Sequence, residues 1–161
     1  MKQCQNLQNI IMKKTVIVTS RHNFERLVKS LSDRQRSEAA LISIRDREFP
    51  EIYPTSPDVL NLTFDDAETD EGFPSNIVEL FSDEHAKQIV DFTLNNSDKK
   101  LFIVHCLMGV SRSGAIGDVL ADHFKIPYAE FKRLNQQIIP NTLVRTKLRE
   151  AFSTIWNNEN F

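Results

Sequence analysis

LFIVHCLMGVSRSG, residues 101–114, is the stretch from which the fold can be read. Leu101, Phe102, Ile103 and Val104 form a short apolar run of strand-forming residues, and the chain then breaks into a small loop that opens with Cys106 and ends at Arg112. Behind the loop, residues 114–124 (GAIGDVLADHF) read as a helix. Strand, tight loop and helix N-terminus together build an anion site out of backbone. Successive N–H groups turn inward as a nest, and the first helical turn adds partial positive charge. One thiol and one guanidinium lie inside that nest, six positions apart.

Both residue types suit phosphate chemistry. A cysteine is a good nucleophile only as thiolate, and inward N–H groups, a helix N-terminus and a nearby Arg all lower its pKa. Arg112 offers a planar, permanently charged fork that can hold two oxygens of a transferring phosphoryl group. Ser111 and Ser113 add hydroxyl donors, and Gly109 lets the backbone approach an anion closely. Leu107, Met108 and Val110 complete the expected phosphate-binding loop. The plainer alternative is a buried structural Cys beside a surface Arg. It does not account for Cys, Gly, Arg, Ser and Gly all falling at one strand-to-helix junction.

Outward from the loop, strands and helices alternate. TVIVT (residues 15–19), AALISI (39–44) and DVLNLTF (58–64) read as strands. Helical spacing is seen over residues 23–31, in the set Val78, Phe81, His85, Ile89 and Phe92, in Phe131, Leu134 and Ile138, and in Val144, Leu148, Ala151, Phe152 and Ile155. Ser82 is read as the point where the second of these sets divides into a short and a longer helix, and Asn141 as the N-cap of the last helix. The connections are too long for hairpins. The fold class is therefore α/β: a single domain with a mainly parallel central sheet of four to five strands flanked by helices. Ligands of such sheets sit beyond the carboxyl ends of the strands. Residues 14–161 are read as the folded unit and residues 1–13 as an extension without trusted periodicity.

HCLMGVSRSG resembles the signature loop of the cysteine-dependent protein tyrosine phosphatases, His-Cys, five residues, Arg, then Ser or Thr, and is most similar to their compact, dual-specificity-like branch. The resemblance rests on Cys106, Gly109, Arg112, Ser113 and Gly114, and extends more loosely over residues 58–148. It implies a phosphatase-like fold and hydrolysis of phosphate monoesters through a cysteinyl-phosphate. It also implies that His105 orients the loop, that Ser113 stabilises the departing thiolate, and that Asn141 supports the loop, a role that competes with its N-cap reading.

Displacing an alkoxide or phenoxide needs an acid. The acidic loop DDAETDEG, residues 65–72, supplies five carboxyl groups. The family places its acid after a strand of the pattern apolar, x, apolar, x, Asp, and LNLTFDD meets that pattern with Asp66, since Leu62, Phe64 and Asp66 share one face by period two. Asp65 ranks second and Asp70 third. Asp66, Glu68 and Asp70 alternate as in a calcium loop, but Gly72 comes one place late and the twelfth position is Ile77. His85 and His123 read as packing residues, and no histidine spacing suggests a metal. His22, beside Arg21 just after the first strand, has reach to the substrate edge as its minority reading. No cofactor is implied.

Composition narrows the partners. The 161 residues are 40% hydrophobic and 26% charged with net charge −2, which supplies no electrostatic reason to expect nucleic acid or an anionic membrane. No apolar run is long enough to span a bilayer, and MKQCQNLQNIIM does not read as a signal peptide, so cytoplasm is the expected compartment. Cys4 and Cys106 make no disulfide framework, and Cys4 reads as an inert tail thiol rather than a redox partner of Cys106. Leu107 and Met108 stand where basic residues would favour polyphosphorylated rings, which leaves a phosphoprotein or small aryl phosphate as the expected substrate. The competing readings are a sulfurtransferase or arsenate-reductase-like thiol enzyme and a non-catalytic phosphate-binding module. The position of Cys106 and the upstream Asp66 weigh against the first, and the presence of Cys, Arg and acid together against the second.

Overall fold

The computed structural model describes residues 13–48, 53–74 and 76–159. Cys4 and residues 1–12 of the expected extension lie outside them. The apolar run at 101–104 continues to Cys106 as β4 (Leu101–Cys106), and β1 (Thr15–Ser20), β2 (Ala39–Arg45) and β3 (Val59–Thr63) join it in the order β1-β4-β2-β3, every pair parallel. Among the described residues four strands therefore form the sheet, and their carboxyl ends share one edge.

Period-two alternation splits the sheet residues between two cores. Phe102, Val104 and Cys106 join the larger one with Val16, Val18, Ala40, Ile42 and Ile44, under the helices α3 (Asp83–Asn95), α4 (Arg112–His123) and α6 (Thr142–Glu159). Ile103 turns the other way, with Ala39, Leu41 and Val59, and is covered by α1 (Arg21–Ser30) through Phe24, Leu27 and Val28. β4 is central and packed on both faces, which is why it reads as a continuous apolar run.

Several helix boundaries differ from the periodicity reading. A short helix, α2 (Asp33–Ser37), has no apolar stripe and is held by a capping box between Ser32 and Gln35. The division expected at Ser82 is found, since Ser82 caps α3, but the short helix expected ahead of it is not, and Val78 and Phe81 lie in irregular chain. Phe81 is nevertheless buried, packed edge-on against Phe64 at 5.0 Å, so its apolar spacing reflected core contact without helix. Ile138 likewise lies beyond α5 (Tyr128–Leu134). The helix after the loop starts at Arg112, two residues before the expected Gly114, and so takes Arg112 and Ser113 into its first turn.

β1 is an edge strand, and side chains close its outer row. Asn135, fully buried, accepts from Val18 N–H at 2.7 Å through Oδ1 and donates to Val16 C=O at 3.0 Å through Nδ2, while Gln137 Nε2 donates to Val18 C=O at 3.0 Å. The segment after α5 thus stands in for a neighbouring strand. Asn135→Ala would strand one donor and one acceptor of β1 and is expected to cost about 3 kcal/mol. Urea unfolding at pH 7 measures it, and a loss no larger than that of an exposed Asn→Ala change would refute the role.

Candidate active site

β4 delivers Cys106 to the sheet edge and α4 begins six residues later, so five residues must reverse the chain within van der Waals reach of β1. Gly109 makes the turn possible. Its φ of 71° is left-handed, and a Cβ there would lie 2.4 Å from Thr19 C and 2.5 Å from Ser20 N. From behind, Ile139 N–H donates to Val110 C=O at 3.0 Å, Asn141 N–H to Ser111 C=O at 3.1 Å, and Gln137 Nε2 to Gly109 C=O at 3.2 Å.

Cys106 is 2% exposed. Its Sγ lies 3.0 Å from Ser113 Oγ and accepts from Gly109 N–H at 3.3 Å. Burial pushes the thiol up, but hydrogen bonds from Ser113 Oγ and the N–H groups of Ser113, Gly109 and Val110 outweigh it, and the pKa falls below its ordinary value.

Arg112 is also buried, and its Nη1 donates to Asp46 Oδ1 at 2.8 Å and to Phe64 C=O at 2.9 Å. Both bonds use the same nitrogen. Nε is buried with no partner among the described residues, which leaves the Nε–Nη2 edge of the guanidinium for a bidentate anion. Asp46 escaped the sequence reading. The only signal was its place at the end of β2, on the edge where ligands sit.

The two leading acid candidates are separated by their partners. Asp65 Oδ2 accepts from Arg47 Nη2 at 2.8 Å and from Glu79 N–H at 2.7 Å, which makes it a fastener of the segment before α3. Asp66 faces the Cys106 loop instead, its Oδ1 accepting from Ser111 Oγ at 2.7 Å and from Asn141 Nδ2 at 3.0 Å. Asp70 is exposed in the following turn. Asn141 caps the last helix, its Oδ1 accepting from Val144 N–H at 3.1 Å, while its backbone N–H meets Ser111 C=O of the Cys106 loop and its Nδ2 donates to Asp66 and to Ala67 C=O of the acidic loop. Glu68 adds a second clasp, taking Thr142 N–H at 2.7 Å in the first turn of α6.

His105 is 3% exposed, packed on Phe24 at 4.1 Å. A carbonyl only accepts, so the 3.3 Å contact to Cys106 C=O puts the proton on Nδ1, and Nε2 accepts from Ser43 Oγ at 2.7 Å. His22 is exposed on α1. His85 belongs to the Ser82 capping box and stacks on Phe81, and His123 stacks on Phe152 at 4.4 Å, as packing residues do. Among the described residues no three His, Cys, Asp or Glu side chains are grouped to hold a metal, and no helix is long and apolar enough to cross a membrane.

No family model and no curated protein matches the sequence. Solved structures do match. Human DUSP28 aligns over 89% of this chain and 94% of its own at 16% identity with a TM-score of 0.52, and DUSP15 over 93% and 94% at 20% identity with a TM-score of 0.52. The chain has the fold of the dual-specificity phosphatases. PTPMT1, solved in complex with PI(5)P, is similar over 90% of this chain and 94% of its own at 16% identity with a TM-score of 0.50. The dual-specificity-like fold expected from HCLMGVSRSG is thus the one found.

Burial pushes the His105 imidazole down to about 4 from its ordinary 6.5. Between those values the unfolded chain binds a proton that the folded chain refuses. Stability should fall as pH drops from 6.5 to 4, by up to about 3 kcal/mol from this group. Urea unfolding of the wild type against His105→Gln isolates the effect, since His85 and His123 are common to both. Parallel pH profiles would rule out a buried neutral imidazole.

Proposed function

We propose that the protein is a metal-independent phosphatase that hydrolyses phosphate monoesters, phosphotyrosine foremost, with phosphoserine and phosphothreonine also admitted, through a cysteinyl-phosphate intermediate. The observation that carries this reading is one arrangement: a buried sulfur with lowered pKa, facing inward N–H groups, beside a buried guanidinium with an unpartnered Nε. A phosphoryl group meets all three needs at once, because its oxygens accept from the nest and from Arg112 while its phosphorus lies over Sγ.

The steps follow from the partners. The Cys106 thiolate attacks phosphorus, so an S–P bond forms as the ester P–O bond breaks. Asp66, whose recorded bonds both fall on Oδ1, gives a proton from Oδ2 to the leaving oxygen. Water then attacks the phosphocysteine, Asp66 takes a proton from it, and the S–P electron pair returns to sulfur. Ser113 Oγ, 3.0 Å away, donates to the thiolate that re-forms. Asp46 and Phe64 C=O keep the guanidinium aimed throughout. The exposed apolar side chains of Leu107 and Met108 favour an aryl or protein phosphoester over a polyanionic ring.

Hydrolysis of a small aryl phosphate tests the reading. The rate should survive a chelator and fall by about 10³-fold or more in Cys106→Ser. Asp66→Ala should cost about 10²-fold or more with a poor alkyl leaving group and much less with a nitrophenolate. A Cys106→Ser enzyme that keeps its rate would sink the mechanism. If Asp65→Ala shows the leaving-group dependence instead, the acid is misassigned. Phosphate binding with no turnover of any ester would point to the non-catalytic module.

A further inference from the structure

Beside the nucleophile loop lies an open cleft of about 610 Å3 lined by Asp46, Arg47, Glu48, Asp65, Ile77 and Leu107. Three of these tie it to the chemistry. Leu107 follows Cys106, Asp46 holds Arg112, and Asp65 precedes Asp66. The cleft thus opens next to the position that a phosphate over Cys106 would take.

The lining charges are not equivalent. Asp46 is used by Arg112, and Asp65 by Arg47. Glu48 is exposed and has no ion-pair partner among the described residues. Ile77, 57% exposed, and Leu107, 43% exposed, supply apolar wall on the same cleft. A side chain that fits both features has an aliphatic stem and a cationic head.

We propose that this cleft is a specificity subsite for the residue flanking the phosphorylated side chain, and that Glu48 selects a lysine or arginine there. The substrate class is then a phosphorylated polypeptide with a basic residue next to the phosphoresidue. This inference rests on the phosphatase reading for its location but not for its test. The stem of the flanking residue lies on Ile77 and Leu107, and its head reaches the Glu48 carboxylate. An acidic flanking residue would face Glu48 with like charge.

The test uses short phosphotyrosine peptides of otherwise neutral sequence, with Lys, Leu or Glu beside the phosphotyrosine. For the wild type, kcat/KM should be about fivefold higher with Lys than with Glu, the size expected of one solvent-facing ion pair. In Glu48→Lys that ratio should fall to one or below, with Glu48→Gln between the two. Comparing peptides within one variant makes the readout independent of its overall rate. Glu150→Lys, on the exposed part of α6, makes the same change of net charge and should keep the wild-type ratio.

Equal rates for the Lys and Glu peptides, a preference for Leu over Lys, or the same loss in Glu150→Lys would each overturn the subsite. If the wild type hydrolyses a small aryl phosphate but shows no such preference, the subsite fails and the phosphatase reading stands. If nothing is hydrolysed, calorimetric binding of the same peptides to Cys106→Ser reads the preference directly. Its reversal in Cys106→Ser/Glu48→Lys supports the subsite, and its absence overturns it.

Discussion

A cysteine 2% exposed to solvent with its thiol pKa below the ordinary value is costly to hold, and the rest of the site is arranged around that requirement. Desolvation alone acts in the wrong direction. The compensation comes from donors aimed at one point, the Ser113 hydroxyl and the N–H groups of Gly109, Val110 and Ser113, and they can converge only if the loop turns sharply. Gly109 meets that demand at the edge of steric possibility, with its backbone against Thr19 and Ser20. The thiol's acidity is therefore a property of how closely the loop packs on β1.

A loop that tight needs support from outside itself, and most of it comes from residues 135–141. Asn135 and Gln137 close the edge of β1, Gln137 and Ile139 hold the carbonyls of Gly109 and Val110, and Asn141 holds Ser111, Asp66 and Ala67 while capping α6. One short segment thus couples the strand, the Cys106 loop and the acidic loop. The position of Asp66 relative to Cys106 is set through it, although the two are 40 residues apart in the chain.

On the opposite side the guanidinium is held by Asp46 from the end of β2 and by Phe64 C=O from the chain beyond β3. The β2–β3 pair thereby orients Arg112, while β1 and the 135–141 segment shape the loop that carries Cys106. His105 links the halves, its ring on Phe24 of α1, its Nε2 on Ser43 of β2 and its Nδ1 on the backbone of Cys106.

How much of this was legible beforehand divides along physical lines. The strand begun by the apolar run at 101–104, the helix behind it and the Cys-to-Arg spacing are local matters of apolar runs and helix starts, and period-two facing was what ranked Asp66 ahead of Asp65 as the expected acid. Periodicity failed at Phe81 and Ile138, because apolar spacing records burial and a buried residue need not be helical. The partners Asp46, Asn135 and Gln137 had no local signature, since each acts on an element distant in sequence, Asn135 on a strand 117 residues away. Asn141 carried two readings along the chain that do not exclude each other in space, because its side-chain carbonyl caps α6 while its backbone N–H meets the Cys106 loop. The sequence by itself determined which groups could do the chemistry and at which strand end they stand. Only the tertiary structure decided which nitrogen of Arg112 is already taken, which face of the acidic loop meets Cys106, and which carboxylate beside it has no ion-pair partner among the described residues, because each depends on where a remote backbone or side-chain partner comes to rest.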